Sequence, residues 1–312
     1  MAERKHYKIK NWKQYNAALK ARYEITLWIG EDARAAWLNQ TKTGRRGRSD
    51  RYADAAVQCV LTLKEVYRLP LRGAEGLARS LFRAWGLGLA VPDYSTLCRR
   101  RQRLQVSLPR LAKRGGAKLH LVVDSTGLKI YGEGEWKVRQ HGWTKRRTWR
   151  KLHLGLDADT QEIAAAHLTT ADCADAPVLP ELLRQTTETL GQVDADGAYD
   201  TIEAHLHITE RQARAVIPPR ANAVRWAGES PPVQSRNGIL ALVAQLGLAG
   251  WKKLAGYHRR SLAETAMFRY KTIFGDKLTA RHLESQRPEA LLRGAILNRM
   301  TALGMPESYL VN

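Results

Sequence analysis

Cysteine is scarce in this chain, and the three present, Cys59, Cys98 and Cys173, are isolated from one another. An odd number without paired spacing excludes a disulfide framework and a cysteine-based zinc site. Cys59 lies in an apolar run and reads as a buried core thiol, and a reducing intracellular compartment is the default expectation. No stretch approaches 18 uninterrupted apolar residues, and residues 1–10 lack a secretory apolar region, so membrane attachment is not expected. Neither a repeated unit nor a long low-complexity tract stands out. Acidic residues are also in deficit: 30 Asp and Glu face 51 Lys and Arg, leaving a formal charge of +21. That excess fits a polyanionic partner, most simply nucleic acid, because several phosphate contacts release counterions.

What is present is unevenly distributed. The 312 residues suffice for one large domain with a smaller companion. Residues 1–40 are basic and rich in aromatics (Trp12, Tyr15, Trp28, Trp37). The following stretch contains Arg45, Arg46 and Arg48 and reads either as a solvated hinge or as an arm contacting the DNA backbone or a narrow minor groove. Helical spacing is expected over residues 50–67, a break at 69–73, and a second helix over 74–85. Asp93 or Ser95 caps a third helix through Leu104 that carries Arg99, Arg100, Arg101 and Arg103. Short helices with a basic last member suggest a helix-turn-helix-like DNA-binding unit; the alternative is a helical packing or dimerisation domain with a charged outer face.

After Gly115 and Gly116 the pattern changes to strands. Residues 120–124 form an apolar run closing at Asp124, residues 148–157 alternate with period two, and 162–169 follow a turn. A helix over 176–190, a strand over 192–196 ending at Asp196, a helix over 201–211 and a strand over 213–218 come next. The order favours a mixed α/β core. Residues 221–256 interrupt it, with a short helix at 238–248, before helices over 261–273 and 288–300. Domains are therefore expected at 1–112 (basic, helical, DNA-binding and a candidate for dimerisation), 113–220 (first part of the catalytic domain), 221–256 (insertion) and 257–312 (C-terminal catalytic helices and tail).

The chemistry concentrates in three carboxylates. Asp124 and Asp196 each stand at an expected strand end, where an α/β fold projects side chains into a crevice. Glu264 lies four residues after Arg260 and seven before Lys271, which puts all three on one helix face. Carboxylates from separate elements, flanked by cations, describe a metal-dependent site acting on phosphates. Asp194 competes with Asp196 but lies deeper in its strand, Asp200 suits the cap of the next helix, and Asp157 and Asp159 flank a hairpin turn. The segment with Trp136, Trp143, Lys145, Arg146 and Arg147 mixes aromatics and cations, reading as a DNA contact or as an irregular hairpin packed on the core. His141 and His153 lack zinc-motif spacing and suit polar support or phosphate contact. Trp149 is expected to pack, and Arg150 and Lys151 to face opposite sides of their strand.

Tyr257, Arg260, Glu264 and Lys271 carry the spacing Tyr, two residues, Arg, three residues, Glu, six residues, Lys. With the runs around Asp124, Trp149 and Asp196 and the closing Leu297-Asn298-Arg299-Met300, the chain resembles bacterial DDE-type insertion-sequence transposases, specifically the insertion-sequence-5-like group. The resemblance covers most of the chain. It implies an α/β fold: a ribonuclease-H-like mixed-sheet catalytic core with an N-terminal helical DNA-binding domain and an insertion before the final catalytic helix. It implies that Asp124, Asp196 and Glu264 are the catalytic metal-binding triad for two Mg²⁺ ions, with Mn²⁺ a substitute. Arg260 and Lys271 would contact phosphate or organise the acids, and Tyr257 would support the signature helix. The implied partners are double-stranded DNA with terminal inverted repeats, target DNA and a second copy of the chain in a synaptic homodimer, in a nucleoid-associated location in the bacterial cytoplasm. A ribonuclease-H-like nuclease without strand transfer and an inactive DNA-binding repressor are the alternatives, and the fate of the second DNA strand stays open.

Overall fold

The structure, a computed structural model, describes residues 6–29, 35–39, 50–112, 115–130 and 149–311. The chain divides into two compact units, residues 1–111 with 295–312, and residues 112–294.

In the first unit, strand β1 (His6–Ile9) is followed by α1 (Trp12–Ala21) and α2 (Ile25–Trp28). Three further helices are α3 (Asp54–Val66), α4 (Leu71–Ala84) and α5 (Tyr94–Arg101). The first is the apolar centre, with Val57, Val60 and Leu63 wholly enclosed. Helix α4 buries Ala74, Ala78 and Phe82, a four-residue spacing that lines one face. It starts directly after Pro70, not at Ala74 as expected: proline with fixed φ suits a helix start, so the apparent break is the entry to the helix. Asp93 caps α5 by accepting from the Ser95 and Thr96 amides, and these hydrogen bonds, the Ser95 hydroxyl first, hold its carboxyl down to about 2. A closing strand, β8 (Ser308–Val311), pairs antiparallel with β1, so residues from both ends of the sequence share one ribbon that local patterning did not reveal.

The second unit is built on a sheet. Its strands are β2 (Leu119–Ile130), β3 (Trp149–Asp157), β4 (Ile163–Thr170), β5 (Leu190–Asp194), β6 (Arg214–Val216) and the two-residue β7 (Lys277–Leu278). The order is β4-β3-β2-β5-β6. Strands β2, β3 and β4 are antiparallel, β5 and β6 run parallel in their pairings, and β7 pairs with the far end of β2. A mixed α/β sheet flanked by helices is consistent with the ribonuclease-H-like core the resemblance implies.

Several boundaries depart from expectation. Strand β2 does not close at Asp124; it continues to Ile130 because β3 offers a ladder partner at each step from Ser125↔His153 to Lys129↔Trp149. Gly127, which reads locally as a turn residue, instead makes room for Trp149: a Cβ there would stand 3.1 Å from the indole. Trp149 thus packs, as expected. Strand β5 ends at Asp194, two residues early, because the Asp196 side chain turns to accept from the Ala198 amide and caps a 3₁₀ turn, Gly197–Tyr199.

The helices of this unit are α6 (Leu179–Gln185), α7 (Ile202–Glu210), α8 (Pro231–Ala255), α9 (Ser261–Phe274) and α10 (Leu283–Leu303), whose last residues belong to the first unit. Helix α7 is capped by Thr201, not Asp200; Asp200 is drawn inward by the buried Arg236 guanidinium at 3.0 Å. Helix α8 exceeds the expected short helix at both ends: Pro231 and Pro232 occupy its first turn, and at Gly247 (φ 68°, ψ 162°) the backbone leaves helical geometry, so two helical segments meet there at a kink.

Leu119, Leu121 and Val123 bury one face of β2 against Leu179, Leu182 and Ile208 of α6 and α7. Strand alternation therefore sends His120, Asp124 and Thr126 to the opposite face, on which α9 packs.

Candidate active site

On that second face the signature residues meet. A 3₁₀ turn, Tyr257–Arg260, leads into α9 and delivers Arg260 to the sheet. Its Nη1 donates to Asp124 Oδ2 at 2.8 Å, while Nη2 donates to Glu264 Oε1 one helical turn onward. One guanidinium thus joins carboxylates 140 positions apart in sequence (264 minus 124). Two turns along the same helix face, Lys271 Nζ donates to Thr126 Oγ1 at 2.6 Å. Thr126 was missed in the sequence because the strand was expected to stop at Asp124; its same-face parity with Asp124 is the signal that marks it.

Burial raises the proton affinity of Asp124, and the charge of Asp196 adds to the effect; the Ser125 amide and Arg260 oppose them. The two aspartates are therefore electrostatic neighbours. Burial works against the charge on Arg260, but Asp124, Tyr257 and Glu264 outweigh it and keep the guanidinium cationic. Tyr257 is buried and pushed up to about 12, chiefly by burial, with Asp196 and Asp124 adding to the shift. Its ring packs on Trp251, with Lys252 5.3 Å from its centroid, so it anchors the turn that carries Arg260.

A second chain of contacts flanks this cluster. His120 Nε2 lies 3.0 Å from buried Asp194, and Arg259 reaches His120 Nδ1 at 3.1 Å and Asp159 at 2.6 Å. Asp194 is consequently committed inside the sheet, and Asp159, expected only to shape a hairpin, tethers the turn that holds the signature arginine. Arg259 carried no separate signal beside Arg260.

The other expected residues fall elsewhere. His153 is wholly buried, 3.0 Å from Thr169 and 3.4 Å from Asp175; burial lowers it to about 4, so it serves as neutral internal support. Arg150 reaches Gln286 and Lys151 reaches the Cys173 carbonyl, on opposite faces as the alternation requires. In the first unit Arg99 and Arg103 are exposed. Arg100 is held by the Tyr52 carbonyl at 2.7 Å and by Asp54 at 2.6 Å, and Arg101 is buried. Arg45, Arg46, Arg48, Trp136, His141, Trp143, Lys145, Arg146 and Arg147 lie outside the described residues.

Asp124, Asp196 and Glu264 offer only carboxylate oxygens, a donor set suited to Mg²⁺ or Mn²⁺. The charge of Asp196 adds to the raised proton affinity of Asp124 behind the effect of burial, and a nearby cation would offset it. The residues fit such an ion in chemistry. Among the described residues, no group of three or more His, Cys, Asp or Glu side chains is gathered around one point, and Arg260 provides the positive charge between Asp124 and Glu264.

Comparison with known proteins agrees with this chemistry. Residues 115–299, more than half of the chain, match a family model described as a transposase DDE domain, and residues 20–133 match another of the same description. Among solved structures, similarity extends to a cryo-EM structure of the piggyBac transposase synaptic complex with hairpin DNA. It is 8% identical over 89% of this chain and 80% of that one, with a TM-score of 0.25, too low to carry an argument.

Proposed function

Because this chain belongs to the DDE transposase family, we propose that it cuts DNA at the inverted-repeat ends of its element and joins the freed 3′-hydroxyls to target DNA. The family places it among DNA-cutting enzymes that use divalent metal. Asp124, Asp196 and Glu264 are the proposed catalytic residues. The observation that supports this reading is Arg260 joining Asp124 of β2 to Glu264 of α9, two of the three expected acids.

Two Mg²⁺ ions held by these carboxylates, with Mn²⁺ as substitute, would supply charge neutralisation at the phosphate and lower the pKa of the attacking hydroxyl. The chain's own residues position the substrate. Arg260, which holds Asp124 and Glu264, and Lys271, which holds Thr126, would offer charge-assisted donors to non-bridging phosphate oxygens once metal takes over the acids. Tyr257 and Trp251 fix the turn so that Arg260 cannot swing freely, which confines the phosphate to one register. In the first step water attacks phosphorus and the 3′ oxygen departs. In the second that 3′-hydroxyl attacks a target phosphodiester, one P–O bond forming as another breaks, with no covalent protein intermediate. Two ends handled together call for a homodimer.

Purified protein with Mg²⁺ and paired inverted-repeat duplexes from its genomic surroundings should give nicked ends and covalent recombinant joints. Cleavage without any joint would instead indicate a nuclease. Specific end binding with neither product would overturn the assignment.

A further inference from the structure

Asp196 stands past the sheet's own support. The ladder between β5 and β6 ends with Asp194↔Val216, and the Ala195 amide makes the next bond, to the Val216 carbonyl. Beyond it the Asp196 carboxylate accepts from the Ala198 amide and caps the 3₁₀ turn Gly197–Tyr199. A capping bond of that kind sets the carboxylate relative to its turn, but the turn itself must be held by other elements. Two arginines do so. Arg220, beyond the end of β6, donates from Nε to the Gly197 carbonyl at 3.1 Å and from Nη2 to the Ala198 carbonyl at 3.2 Å, so one exposed guanidinium spans the turn.

The second arginine works from inside. Asp200 closes the turn and is buried against Arg236 of α8, which is only 2% exposed. Arg236 Nε donates to Asp200 Oδ1 at 3.2 Å and Nη2 to Oδ2 at 3.0 Å, a two-pronged pairing that fixes the carboxylate plane as well as its position. The Arg220 amide donates to the same carboxylate at 3.3 Å, joining the two clamps. Arg236 is fixed in turn: Nη1 donates to the Val224 carbonyl at 2.6 Å, and the guanidinium lies 4.5 Å from the Trp226 ring centroid. The Asn237 side chain bonds both the amide and the carbonyl of Trp226, at 3.0 and 2.9 Å.

A buried ion pair loses hydration that an apolar pair of similar volume keeps, so it adds little to stability; what it imposes is one geometry. Here the geometry imposed is that of residues 196–200. We propose that Arg236 and Arg220 are positioning residues for the divalent-metal site, holding Asp196 in the direction that coordination requires, Arg236 through Asp200 and Arg220 through the turn carbonyls. A carboxylate held in one direction loses less freedom on binding a cation than one on a free turn. Arg236 lies within residues 221–256, expected only to interrupt the catalytic fold, and this stretch thereby takes part in the site. The proposal rests on reading Asp196 as a metal ligand and names what aims it.

Mn²⁺ titration of the full chain, followed by electron paramagnetic resonance, tests it together with amide hydrogen exchange of the metal-free protein; Asp196→Asn is the reference. Arg236→Met keeps buried volume without the paired donors, and Arg220→Gln changes an exposed side chain, so it decides the matter if Arg236→Met does not fold. Mn²⁺ binding should weaken by roughly ten- to a hundredfold in Arg236→Met and by about tenfold in Arg220→Gln. Arg236→Lys, a point charge that cannot form the two-pronged pairing, should fall between Arg236→Met and the parent. Exchange at the amides of residues 197–200 should quicken by roughly tenfold or more while β2 and β3 keep the parent rates, the mark of a local opening and not of lost global stability. Parent-like Mn²⁺ affinity in the folded variants, or exchange quickened evenly across the sheet, would overturn the proposal. If Asp196→Asn weakens Mn²⁺ binding and the arginine variants do not, the positioning role alone falls. If Asp196→Asn binds Mn²⁺ like the parent, the metal-site reading falls and takes the positioning role with it.

Discussion

Helix α5 and the turn before α9 each carry three successive basic residues, Arg99–Arg100–Arg101 in one and His258–Arg259–Arg260 in the other. In both, two of the three are committed to the protein and one stays exposed. The partners differ. Arg100 holds a backbone carbonyl and Asp54 in the first turn of α3, which secures packing between neighbouring helices. Arg260 holds Asp124 of β2 and Glu264 of α9, carboxylates from two separate elements. A run of cations is thus no guide to its use until the opposing groups are known; the same side chain braces neighbouring helices in one unit and bridges two carboxylates in the other.

The largest effect that sharpens this contrast is expected at the acids. Glu264→Gln, Asp124→Asn and Asp196→Asn keep size but remove an anionic oxygen. Each should reduce end cleavage by roughly a thousandfold, the equivalent of several kcal/mol of lost metal-assisted stabilisation, while end binding persists in a gel-shift assay. Near-normal cleavage by folded Glu264→Gln protein would break the assignment. Arg260→Ala should lower the cleavage rate per folded molecule by about ten- to a hundredfold through poorer phosphate positioning, measured alongside thermal unfolding so that any loss of stability is separated from the loss of rate.

Arg100→Ala should show the opposite profile. Loss of charge-assisted hydrogen bonds is expected to reduce unfolding free energy by about 1.5–3 kcal/mol in denaturant titration, with cleavage per folded molecule unaffected. If Arg100→Ala instead lost activity without losing stability, the two basic runs would share one role.

Titration of the Asp124 carboxyl by NMR in the metal-free protein gives a finer comparison. Burial lifts its proton affinity above the ordinary carboxylate range and Arg260 pulls it down, so Arg260→Ala should raise it further and Arg100→Ala should leave it in place. The smallest effect is expected at Arg99, exposed on α5: if it meets the DNA backbone, Arg99→Ala should reduce the salt slope of end binding by about one unit, without altering sequence preference.

Much of the strand framework was legible because period-two alternation at residues 148–157 and the apolar run at 120–124 reflect burial directly. The boundaries at Asp124 and Asp196 were not. Ser125, Thr126 and Gly127 look like a turn by composition, yet a partner strand more than twenty residues away supplies the ladder that keeps them extended. Local propensity yields where hydrogen-bond partners come from elsewhere. The same holds for Asp200, whose capping preference gives way to Arg236.

By itself the sequence determined the charge excess, the spacing that sets Arg260, Glu264 and Lys271 on one helix face, and the residue types from which an oxygen-donor site can be made. Helical and strand periodicities are local, so these properties follow from neighbours within a few turns. Only the tertiary structure decided that Asp124 lies mid-strand with Thr126 on the same face and that Arg260 rather than Arg259 joins the two acids. Those outcomes depend on which distant elements pack together, and packing is chosen by the burial of the whole core.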